Sequence, residues 1–410
     1  MAKPQIRLEG HDDEWIQQSL QDCLTISADR NFFNAYGREQ VLSVSDDYGV
    51  VNQIKHLGRS YAGADMSNYK VVKPHQIIYT KSPLKQKPYG IIKANQSEEG
   101  IVSVLYAVYN ALPGVCPDFI DRYFSPYYRT NNYLRPLINK GAKNTINITD
   151  EGALNGSLYL PSLSEQKEVA AYFHSLDELI KASAKKIDSL KKMKAGFMQT
   201  MFPQLGETMP KIRFKGFTGD WEKKALHECL DISTDKNDDN AFGIKDVLSV
   251  SDDYGVVNQI KHLGRSYAGK SVSNYGVLRT GEIVYTKSPL KSKPYGIVKL
   301  NAGITGIVSV LYAIYRPKDN VSAEYIHYYF DPAWRLNHYL RPLVNKGAKN
   351  TMNISDETAL AGTIMLPKSL QEQQQIASFF HELDSQIRLH EQKLAKLKQI
   401  KASCLDKMFV

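Results

Sequence analysis

Apolar residues recur at alternating steps of four and three residues in two long segments of the chain. The first segment has Val169, Phe173, Leu176, Ile180, Ser183, Ile187, Leu190, Lys194, Phe197 and Met201 at these positions. The second has Ile376, Phe380, Leu383, Ile387, His390, Leu394, Leu397, Lys401, Cys404 and Met408. This spacing is typical of coiled-coil helices. It predicts two helices of about 37 residues, each about 55 Å long.

Most of the chain outside these segments is present twice. The stretch Val41–Gly63 recurs without change as Val247–Gly269. Trp15 aligns with Trp221, and further matches join 79–91 to 285–297, 100–107 to 306–313, and 133–148 to 339–354. Two such long copies indicate a duplicated domain and not a repeat array.

The order of copies and helices predicts the architecture. The first helix connects the two copies and the second helix follows the second copy, so pairing of the two apolar faces requires antiparallel helices. The result would be a dumbbell with a pseudo-two-fold axis. We predict recognition domains at 1–162 and 209–369, with conserved helices at 163–208 and 370–410. The alternative is that each helix packs on its own domain as an ordinary core helix.

Polar residues interrupt both apolar patterns at matching places. Ser183 and Lys194 interrupt the first, and His390 and Lys401 interrupt the second. Polar residues within a heptad pattern commonly fix register or orientation. The alternative role is contact with a partner subunit.

Each copy mixes strand and helix patterns and predicts an α+β fold. VLSVS and VVN around an Asp/Gly turn, at 41–52, predict a β-hairpin. The runs 100–109 and 278–285 predict further strands, and 322–340 predicts a helix that is broken near Pro332.

Composition and charge narrow the partner class. The chain has 410 residues, a net charge of +9 and a pI near 9.0, which favours a polyanionic partner such as nucleic acid. No apolar run is long enough to span a membrane, and no secretory signal is evident. The four cysteines form no CxxC pair, so we expect a reduced, cytoplasmic protein with no membrane partner.

The candidate DNA contacts lie on basic loops that each copy contains. In the first copy they are Lys55, His56, Arg59, Ser60, Tyr61, Lys81, Lys85, Lys87, Arg135, Lys140, Lys143, Asn144 and Thr145. In the second copy they are Lys261, His262, Arg265, Ser266, Tyr267, Lys287, Lys291, Lys293, Arg341, Lys346, Lys349, Asn350 and Thr351. Arginine can bind guanine O6 and N7, asparagine can bind adenine, and lysine can neutralise phosphate.

The alternative is that these loops have no function beyond solvent exposure and are identical only because the duplication is recent. Uneven divergence argues against it. The segments 26–40 and 232–246 differ strongly, as do IKANQSEEG at 92–100 and VKLNAGITG at 298–306, on either side of unchanged stretches.

Sequence motifs give no sign of catalysis or of a metal site. Asp46 and Asp47, like Asp252 and Asp253, are better explained as turn residues than as metal ligands. The chain has no dinucleotide-binding, adenine-methyltransferase or Walker motif. We therefore expect no enzymatic activity, no metal and no cofactor on this chain.

Several longer motifs resemble one known family. The helices begin LSEQKEVAAYFHSLDELI and LQEQQQIASFFHELDSQI and end KKMKAGFMQTMF and KQIKASCLDKMF. The second copy opens with MPKIRFKGFTGDWE at 209–222, and each copy ends in NKGAKNT followed by a strand pattern. Together these motifs, which cover essentially the whole chain, resemble the DNA specificity subunits of type I restriction–modification systems.

The resemblance implies two target recognition domains separated by an antiparallel coil. It implies modification subunits, two in number, that use S-adenosylmethionine to methylate adenine N6, and restriction subunits that use ATP and Mg2+ to cleave double-stranded DNA. Because the two domains are nearly equal here, we expect an interrupted, palindromic or nearly palindromic target. The competing hypothesis is a bivalent scaffold that binds a protein or glycan through two equal heads.

Overall fold

The computed structural model describes residues 2–84, 86–140, 146–346 and 352–410. The chain forms two compact units. Unit 1 contains Met1–Lys185 and Glu391–Val410, and unit 2 contains Lys186–His390. Each unit therefore combines one copy of the repeat with a part of each long helix, a division that differs from the four sequential segments expected from the sequence.

Unit 1 contains one complete set of repeated elements. Its strands are β1 (Ile16–Ser19), β2 (Leu24–Ile26), β3 (Leu42–Ser45), β4 (Gly49–Asn52), β5 (Lys70–Val72), β6 (Ile77–Thr80), β7 (Ile91–Ala94), β8 (Gly100–Val102), β9 (Tyr106–Ala111), β10 (Asn139–Lys140), β11 (Ile146–Asn147) and β12 (Ser157–Leu160). Its short helices are α1 (Gln53–Leu57), α2 (Pro117–Phe124) and α3 (Tyr127–Leu134), and the long helix α4 (Leu163–Thr200) begins here.

Unit 2 repeats these elements and has one additional short α-helix, α8. Its strands are β13 (Glu222–Ala225), β14 (Leu230–Ile232), β15 (Leu248–Ser251), β16 (Gly255–Asn258), β17 (Gly276–Leu278), β18 (Ile283–Thr286), β19 (Ile297–Leu300), β20 (Gly306–Val308), β21 (Tyr312–Pro317), β22 (Asn345–Lys346), β23 (Met352–Asn353) and β24 (Thr363–Leu366). Its short helices are α5 (Gln259–Leu263), α6 (Ala323–Phe330), α7 (Ala333–Leu340) and α8 (Asp356–Ala359), and the second long helix is α9 (Leu370–Lys407).

A four-stranded antiparallel sheet forms the centre of each unit. The strand order is β2-β9-β6-β7 in unit 1 and β14-β21-β18-β19 in unit 2. The register is the same in both, since Ile77 pairs with Tyr109 in one and Ile283 pairs with Tyr315 in the other. All residues of β6 and β18 are buried, which explains why these strands have apolar runs and no alternation.

The structure confirms the hairpin and the broken helix. The hairpin pairs β3 with β4 around a turn at 46–48. The predicted helix 322–340 is the pair α6 and α7, which breaks at Asp331 and Pro332 because proline cannot donate the helical hydrogen bond. The runs 100–109 and 278–285 each contain two strands separated by a turn. In 100–109 the turn was missed because apolar residues continue through it, whereas in 278–285 the polar run 279–282 with Gly281 at a φ of 87° was a turn signal that the sequence analysis passed over.

The long helices α4 and α9 confirm the two helices predicted from the heptad spacing, and each is 38 residues long. Within unit 1, Phe173 of α4 stacks on Phe409, just beyond the end of α9. Within unit 2, Phe202, just beyond the end of α4, stacks on Phe380 of α9. In each unit the beginning of one long helix thus lies against the end of the other, so the helices run antiparallel there.

Aromatic residues dominate the packing between the sheet, the short helices and the long helices. Trp15 of unit 1 makes edge contacts with Phe119 and Phe409. Trp221 of unit 2 contacts Phe202 and Tyr325 in the same way. The predicted α+β class, with duplicated domains and two long antiparallel helices, is confirmed. Within the described residues, no helix combines the length and the apolar composition needed to cross a membrane.

The lysines that interrupt the apolar patterns pair with carboxylates of the facing long helix, and Lys194 also pairs with Asp331 at the end of α6. In unit 1, the Nζ atom of Lys401 donates to Asp177 at 2.5 Å. In unit 2, Lys194 lies 2.9 Å from Asp384 and 3.0 Å from Asp331. Burial lowers the pKa of Lys194, but Asp331 and Asp384 outweigh burial and the net shift is upward. These pairs hold the two helices in one register within each unit.

Candidate nucleic-acid interface

A short helix follows the hairpin and starts the loop that is identical in both copies. The side chain of Asn52 caps α1 by accepting a hydrogen bond from the Lys55 backbone at 3.1 Å. The helix ends at Gly58, which has a φ of 74°, a left-handed conformation that glycine adopts readily. We call Gln53–Gly63 in unit 1 and Gln259–Gly269 in unit 2 the recognition loops.

One glutamine side chain fixes the shape of each recognition loop. The Oε1 atom of Gln53 accepts hydrogen bonds from Ser60 Oγ at 3.0 Å and from the Tyr61 backbone at 2.5 Å. Its Nε2 atom donates to Ser43 on β3 at 2.9 Å. Gln259 makes the same three bonds in unit 2. The hydroxyl groups of Ser60 and Ser266 are therefore bound within the loop, and their role in this structure is to brace it.

Four other candidate residues in each recognition loop are exposed. They are Lys55, His56, Arg59 and Tyr61 in unit 1 and Lys261, His262, Arg265 and Tyr267 in unit 2. The Arg59 guanidinium lies 4.6 Å from the centre of the Tyr61 ring, and the Arg265 guanidinium lies 4.5 Å from that of Tyr267. Each loop thus presents a cation stacked on an aromatic ring, next to a second cation.

The exposed hairpin tip contributes an aromatic ring to the same place. In unit 1, Tyr48 is 69% exposed and its ring lies 4.8 Å from that of His56. In unit 2, the rings of Tyr254 and His262 are 5.0 Å apart. Stacked cations and aromatic rings on an open surface match the chemistry of phosphates and bases.

Two further loops, which differ between the copies, flank each recognition loop. In unit 1, the side chain of Asn31 donates to the backbone oxygen atoms of Tyr36 and Met66. Ser97 donates to the backbone oxygen of Val50 on β4. We call the surface formed by 31–36, 48–61 and 95–99 in unit 1, and by 237–242, 254–267 and 301–305 in unit 2, the recognition surface.

A shallow cleft crosses the recognition surface of unit 1. It has a volume of about 430 Å3 and lies between the strand β4, the helix α1 and the loop 95–99. Asn52, Lys55, His56, Ser97 and Glu98 line it. The cleft brings Lys55 and His56 next to a carboxylate that sequence analysis did not single out.

The structure contradicts a phosphate-contact role for Lys87. Its side chain is only 1% exposed, and its Nζ atom donates to Asp46 at 2.6 Å and to the Ser125 backbone at 2.9 Å. Burial lowers the pKa of Lys87 despite the contact with Asp46. Lys293 is the equivalent residue of unit 2, and it is equally buried and donates to Asp252 at 2.6 Å. Both lysines hold the hairpin turn onto the domain core.

These contacts also explain the paired aspartates. Asp46 and Asp252 lie in the hairpin turn, as expected, and each accepts a hydrogen bond from a buried lysine. In each turn the first aspartate of the pair therefore binds a lysine ammonium group through its Oδ1 atom.

Two other candidate lysines are already engaged in ion pairs. Lys81 donates to Asp150 at 2.7 Å, and Lys287 donates to Asp356 at 2.5 Å. Burial raises the pKa of Asp150, but Lys70 and Lys81 outweigh burial and the net shift is downward. Both candidate lysines are partly buried, so a phosphate would have to compete with a carboxylate for them.

Arg135, Arg341 and Lys291 are exposed. Lys140 and Lys346 lie on the short strands β10 and β22. The remaining candidates, Lys85, Lys143, Asn144, Thr145, Lys349, Asn350 and Thr351, lie outside the described residues.

Glu98 and Glu99 are acidic residues of the recognition surface that sequence analysis did not single out. Lys55 donates to Glu98 at 2.9 Å, and the Tyr36 hydroxyl donates to Glu99 at 2.5 Å. That hydrogen bond raises the pKa of Tyr36. The only signal in the sequence was the divergence of 92–100 from 298–306, which did not reveal that this segment lies against the recognition loop.

Residues 219–399 match the family model described as "Type I restriction modification DNA specificity domain". For this part of the chain, the match confirms the resemblance stated from the sequence. The match covers most of unit 2, and unit 1 repeats the sequence and the strand order of that unit.

Two solved structures align with the whole chain. The S subunit of a type I restriction-modification system from M. genitalium has a TM-score of 0.58 at 10% identity, covering 100% of this chain and 99% of that chain. The HsdS subunit from Thermoanaerobacter tengcongensis has a TM-score of 0.45 at 17% identity, with coverage of 100% and 99%. The first of these similarities supports the fold assignment for both units.

Proposed function

We propose that this chain, whose residues 219–399 belong to the type I restriction modification DNA specificity domain family, recognises DNA for a type I restriction–modification assembly. The observation that carries the proposal is the exposed basic and aromatic recognition loop, which is displayed in the same conformation by both units. Family membership alone would assign a fold, whereas these side chains supply the chemistry of DNA contact.

The recognition loop offers two kinds of contact. The ammonium groups of Lys55 and Lys261 are suited to phosphate oxygens, which position a protein on DNA without selecting sequence. The guanidinium groups of Arg59 and Arg265, held over tyrosine rings, are suited to guanine O6 and N7 in the major groove. Pre-orientation by the tyrosine rings reduces the entropy that each arginine loses on binding.

Two copies of the recognition loop in one chain favour a bipartite target with unread bases between the halves. The two units would bind half-sites in inverted orientation, since matched protein units mirror inverted repeats in DNA. Two modification subunits would then methylate an adenine in each half after extruding it from the duplex. Restriction subunits would cleave DNA that lacks this methylation.

We propose that this chain has no catalytic role. S-adenosylmethionine would bind the modification subunits, and ATP with Mg2+ would bind the restriction subunits. The side chains of the recognition surface would bind and orient DNA so that the partner subunits reach their target atoms.

The test is modified-base sequencing of genomic DNA from cells that co-express this chain with its modification subunit. We expect N6-methyladenine within a single interrupted motif, and none in cells with the modification subunit alone. Absence of any motif, with the modification subunit active alongside another specificity subunit, would contradict the proposal and favour the bivalent scaffold.

Salt dependence separates these two functions in a purified complex. Binding to DNA through several phosphates weakens by about 1000-fold or more between 50 and 200 mM salt. A scaffold for a neutral glycan or a protein would show no such dependence on DNA.

A further inference from the structure

We infer that the two recognition surfaces are chemically unequal and that Glu98 in unit 1 and Ile304 in unit 2 determine a difference between the two half-sites. This inference rests on the proposed DNA-recognition function and adds specificity-determining residues to it. The recognition loops are identical in sequence, so any difference in recognition has to come from the residues beside them.

In unit 1 a carboxylate stands next to the recognition loop. Glu98 and Lys55 form an ion pair at 2.9 Å, and their side chains are 53% and 74% exposed. Any DNA group that reaches Lys55 therefore also meets Glu98. A carboxylate repels phosphate and can only accept hydrogen bonds.

In unit 2 the same position carries an apolar side chain. Ile304 aligns with Glu98 and is 59% exposed. Asn95 donates to the Glu98 backbone at 3.1 Å, and Asn301 donates to the Ile304 backbone at 3.0 Å, so both loops present this residue in the same way. Among the described residues of unit 2, no carboxylate lies within ion-pair distance of Lys261.

A second pair of differences lies beside the first. The hydrogen bond from Tyr36 to Glu99 in unit 1 has no equivalent in unit 2, where Phe242 and Thr305 occupy the aligned positions. The tyrosine hydroxyl and the carboxylate it binds have thus been replaced together, although the two residues lie in separate segments. The divergent segments therefore form one connected patch on each surface, a pattern that scattered drift after duplication does not explain.

Further replacements around the recognition loop also make unit 2 more basic. Lys270 aligns with Ala64, and Ser271 aligns with Asp65. Changes in the opposite direction also occur, since the exposed Phe32 and Phe33 of unit 1 align with two aspartates of unit 2, Arg38 aligns with Ile244 and Gln40 aligns with Asp246. The identical loops are thus embedded in different electrostatic surroundings.

These surroundings select different bases. The acceptor-only carboxylate of Glu98 suits a base with an amino group in the major groove, which is cytosine or adenine. Ile304 suits the methyl group of thymine. Among the described residues Lys261 has no carboxylate partner, so it can neutralise a phosphate directly. Lys55, by contrast, has to give up its ion pair with Glu98 or contact Glu98 and the phosphate together. The target is therefore bipartite with two halves that differ at one aligned position.

The experiment repeats modified-base sequencing with Glu98→Ile and Ile304→Glu, each of which installs the residue of the other unit. In the wild-type motif we expect an amino base in one half where the other half has thymine. Glu98→Ile should move the first half toward thymine, with roughly a 10-fold change in preference at that position. Ile304→Glu should move the other half toward an amino base by a similar factor.

Two additional variants control for folding and for general charge effects. Glu98→Gln keeps the size of the side chain but adds an amide donor, so it should shift the preference among amino bases toward adenine without creating a preference for thymine. Asp22→Asn removes an exposed carboxylate of unit 1 in the turn between β1 and β2 and should leave the motif unchanged.

A motif with identical halves would overturn the inference while preserving the proposed function. The same holds if both exchange variants methylate the wild-type motif unaltered, or if both Glu98 variants abolish methylation altogether. Absence of any motif in the wild type would overturn the proposed function, and this inference with it.

Discussion

Unit 1 and unit 2 share a scaffold but neutralise their buried lysines with different residues. In unit 1, Lys93 lies 3.5 Å from Asp121 and 3.9 Å from Asp46. In unit 2, the aligned Lys299 lies 3.0 Å from Asp331 and 3.3 Å from Asp252. The hairpin aspartate is shared, whereas the helix carboxylate differs between the units.

The carboxylate has moved by about one helical turn between the copies. Unit 2 has His327 where unit 1 has Asp121, and Asp331 where unit 1 has Ser125. Asp331 also binds Lys194 of α4 at 3.0 Å. Unit 1 makes the corresponding link with the opposite polarity, because Arg122 binds Asp177 of α4 at 2.6 Å. In each unit, ion pairs thus connect a buried lysine of the central sheet and the long helix α4 to the equivalent short helix, which is α2 in unit 1 and α6 in unit 2.

The comparison teaches which features both units require. Each hairpin needs a buried lysine, and each buried lysine needs a carboxylate, because an unpaired buried charge is costly. The position of that carboxylate is free to change. Residues that are identical in the two copies therefore indicate geometry that both units need. Where a carboxylate has moved to another position of the same helix, the fold needs its charge but not that particular position.

The largest losses of stability should come from Gly90→Ala in unit 1 and Gly296→Ala in unit 2, and the two losses should be nearly equal. A Cβ atom at either position would lie 1.9 Å from the backbone oxygen of Thr80 or Thr286, and φ is 99° or 95°. We expect each substitution to destabilise its own unit by about 4 kcal/mol. Hydrogen exchange measured on peptides unique to each unit reports the loss.

Gly58→Ala and Gly264→Ala are the matched controls. Their φ values are also positive, at 74° and 77°, but no atom lies within 4 Å of an added Cβ. We expect about 1 kcal/mol from backbone strain alone. Unequal losses at Gly90 and Gly296, differing by more than about 1 kcal/mol, would contradict a common scaffold.

A smaller effect, confined to one unit, should come from Asp331→Ser, which installs the residue of unit 1. It removes a carboxylate from Lys194 and Lys299 without supplying the compensating Asp121. We expect unit 2 to lose about 3 kcal/mol of stability in chemical denaturation. Ser125→Ala should cost unit 1 less than about 1 kcal/mol. If Asp331→Ser destabilised the protein no more than Ser125→Ala does, the Asp331 carboxylate would have no structural role.

The smallest effect concerns pH and again distinguishes the units. Burial lowers the pKa of His327 to about 3, with Lys299 and Lys194 adding to the shift and Asp331 opposing it. The unfolded chain therefore binds a proton near pH 6.5 that the folded unit does not bind, so stability falls as pH drops below that value.

We expect unit 2 to lose about 1 kcal/mol per pH unit between pH 6 and 4, and His327→Gln to remove most of this dependence. Unit 1 has Asp121 at this position and no such histidine. The slope follows from denaturation curves recorded at several pH values. An unchanged slope in His327→Gln would mean that another group controls the pH response.

Much of the fold could be predicted because its signals are local or repeated. The heptad spacing gave both long helices, the Asp/Gly turn gave the hairpin, and Pro332 gave the helix break. The turn inside 100–109 was missed because Val104 and Leu105 continue the apolar run, whereas the turn inside 278–285 was signalled by the polar residues 279–282 and was overlooked.

The recognition surface was less predictable because its members are distant in sequence. The loop around Arg59 and Tyr61 was found from its repetition and composition. Lys87 was misassigned to phosphate contact, since a lysine on a proline-rich loop gives no sign that the fold will bury it beside Asp46. Glu98 was missed because its relevance to the recognition surface depends on its ion pair with Lys55, and only folding brings these two residues together.

The most direct test of the account compares N6-methyladenine in cells carrying Lys55→Ala/Arg59→Ala, Lys261→Ala/Arg265→Ala or the wild-type chain, each with the modification subunit. We predict that both double variants stay folded by hydrogen exchange and lose methylation by at least roughly 10-fold. The loss should be more severe in the unit 2 variant, because Lys261 has no carboxylate partner among the residues that the structure describes. Wild-type methylation at the same motif in both double variants would contradict the claim that the duplicated recognition loops contact DNA.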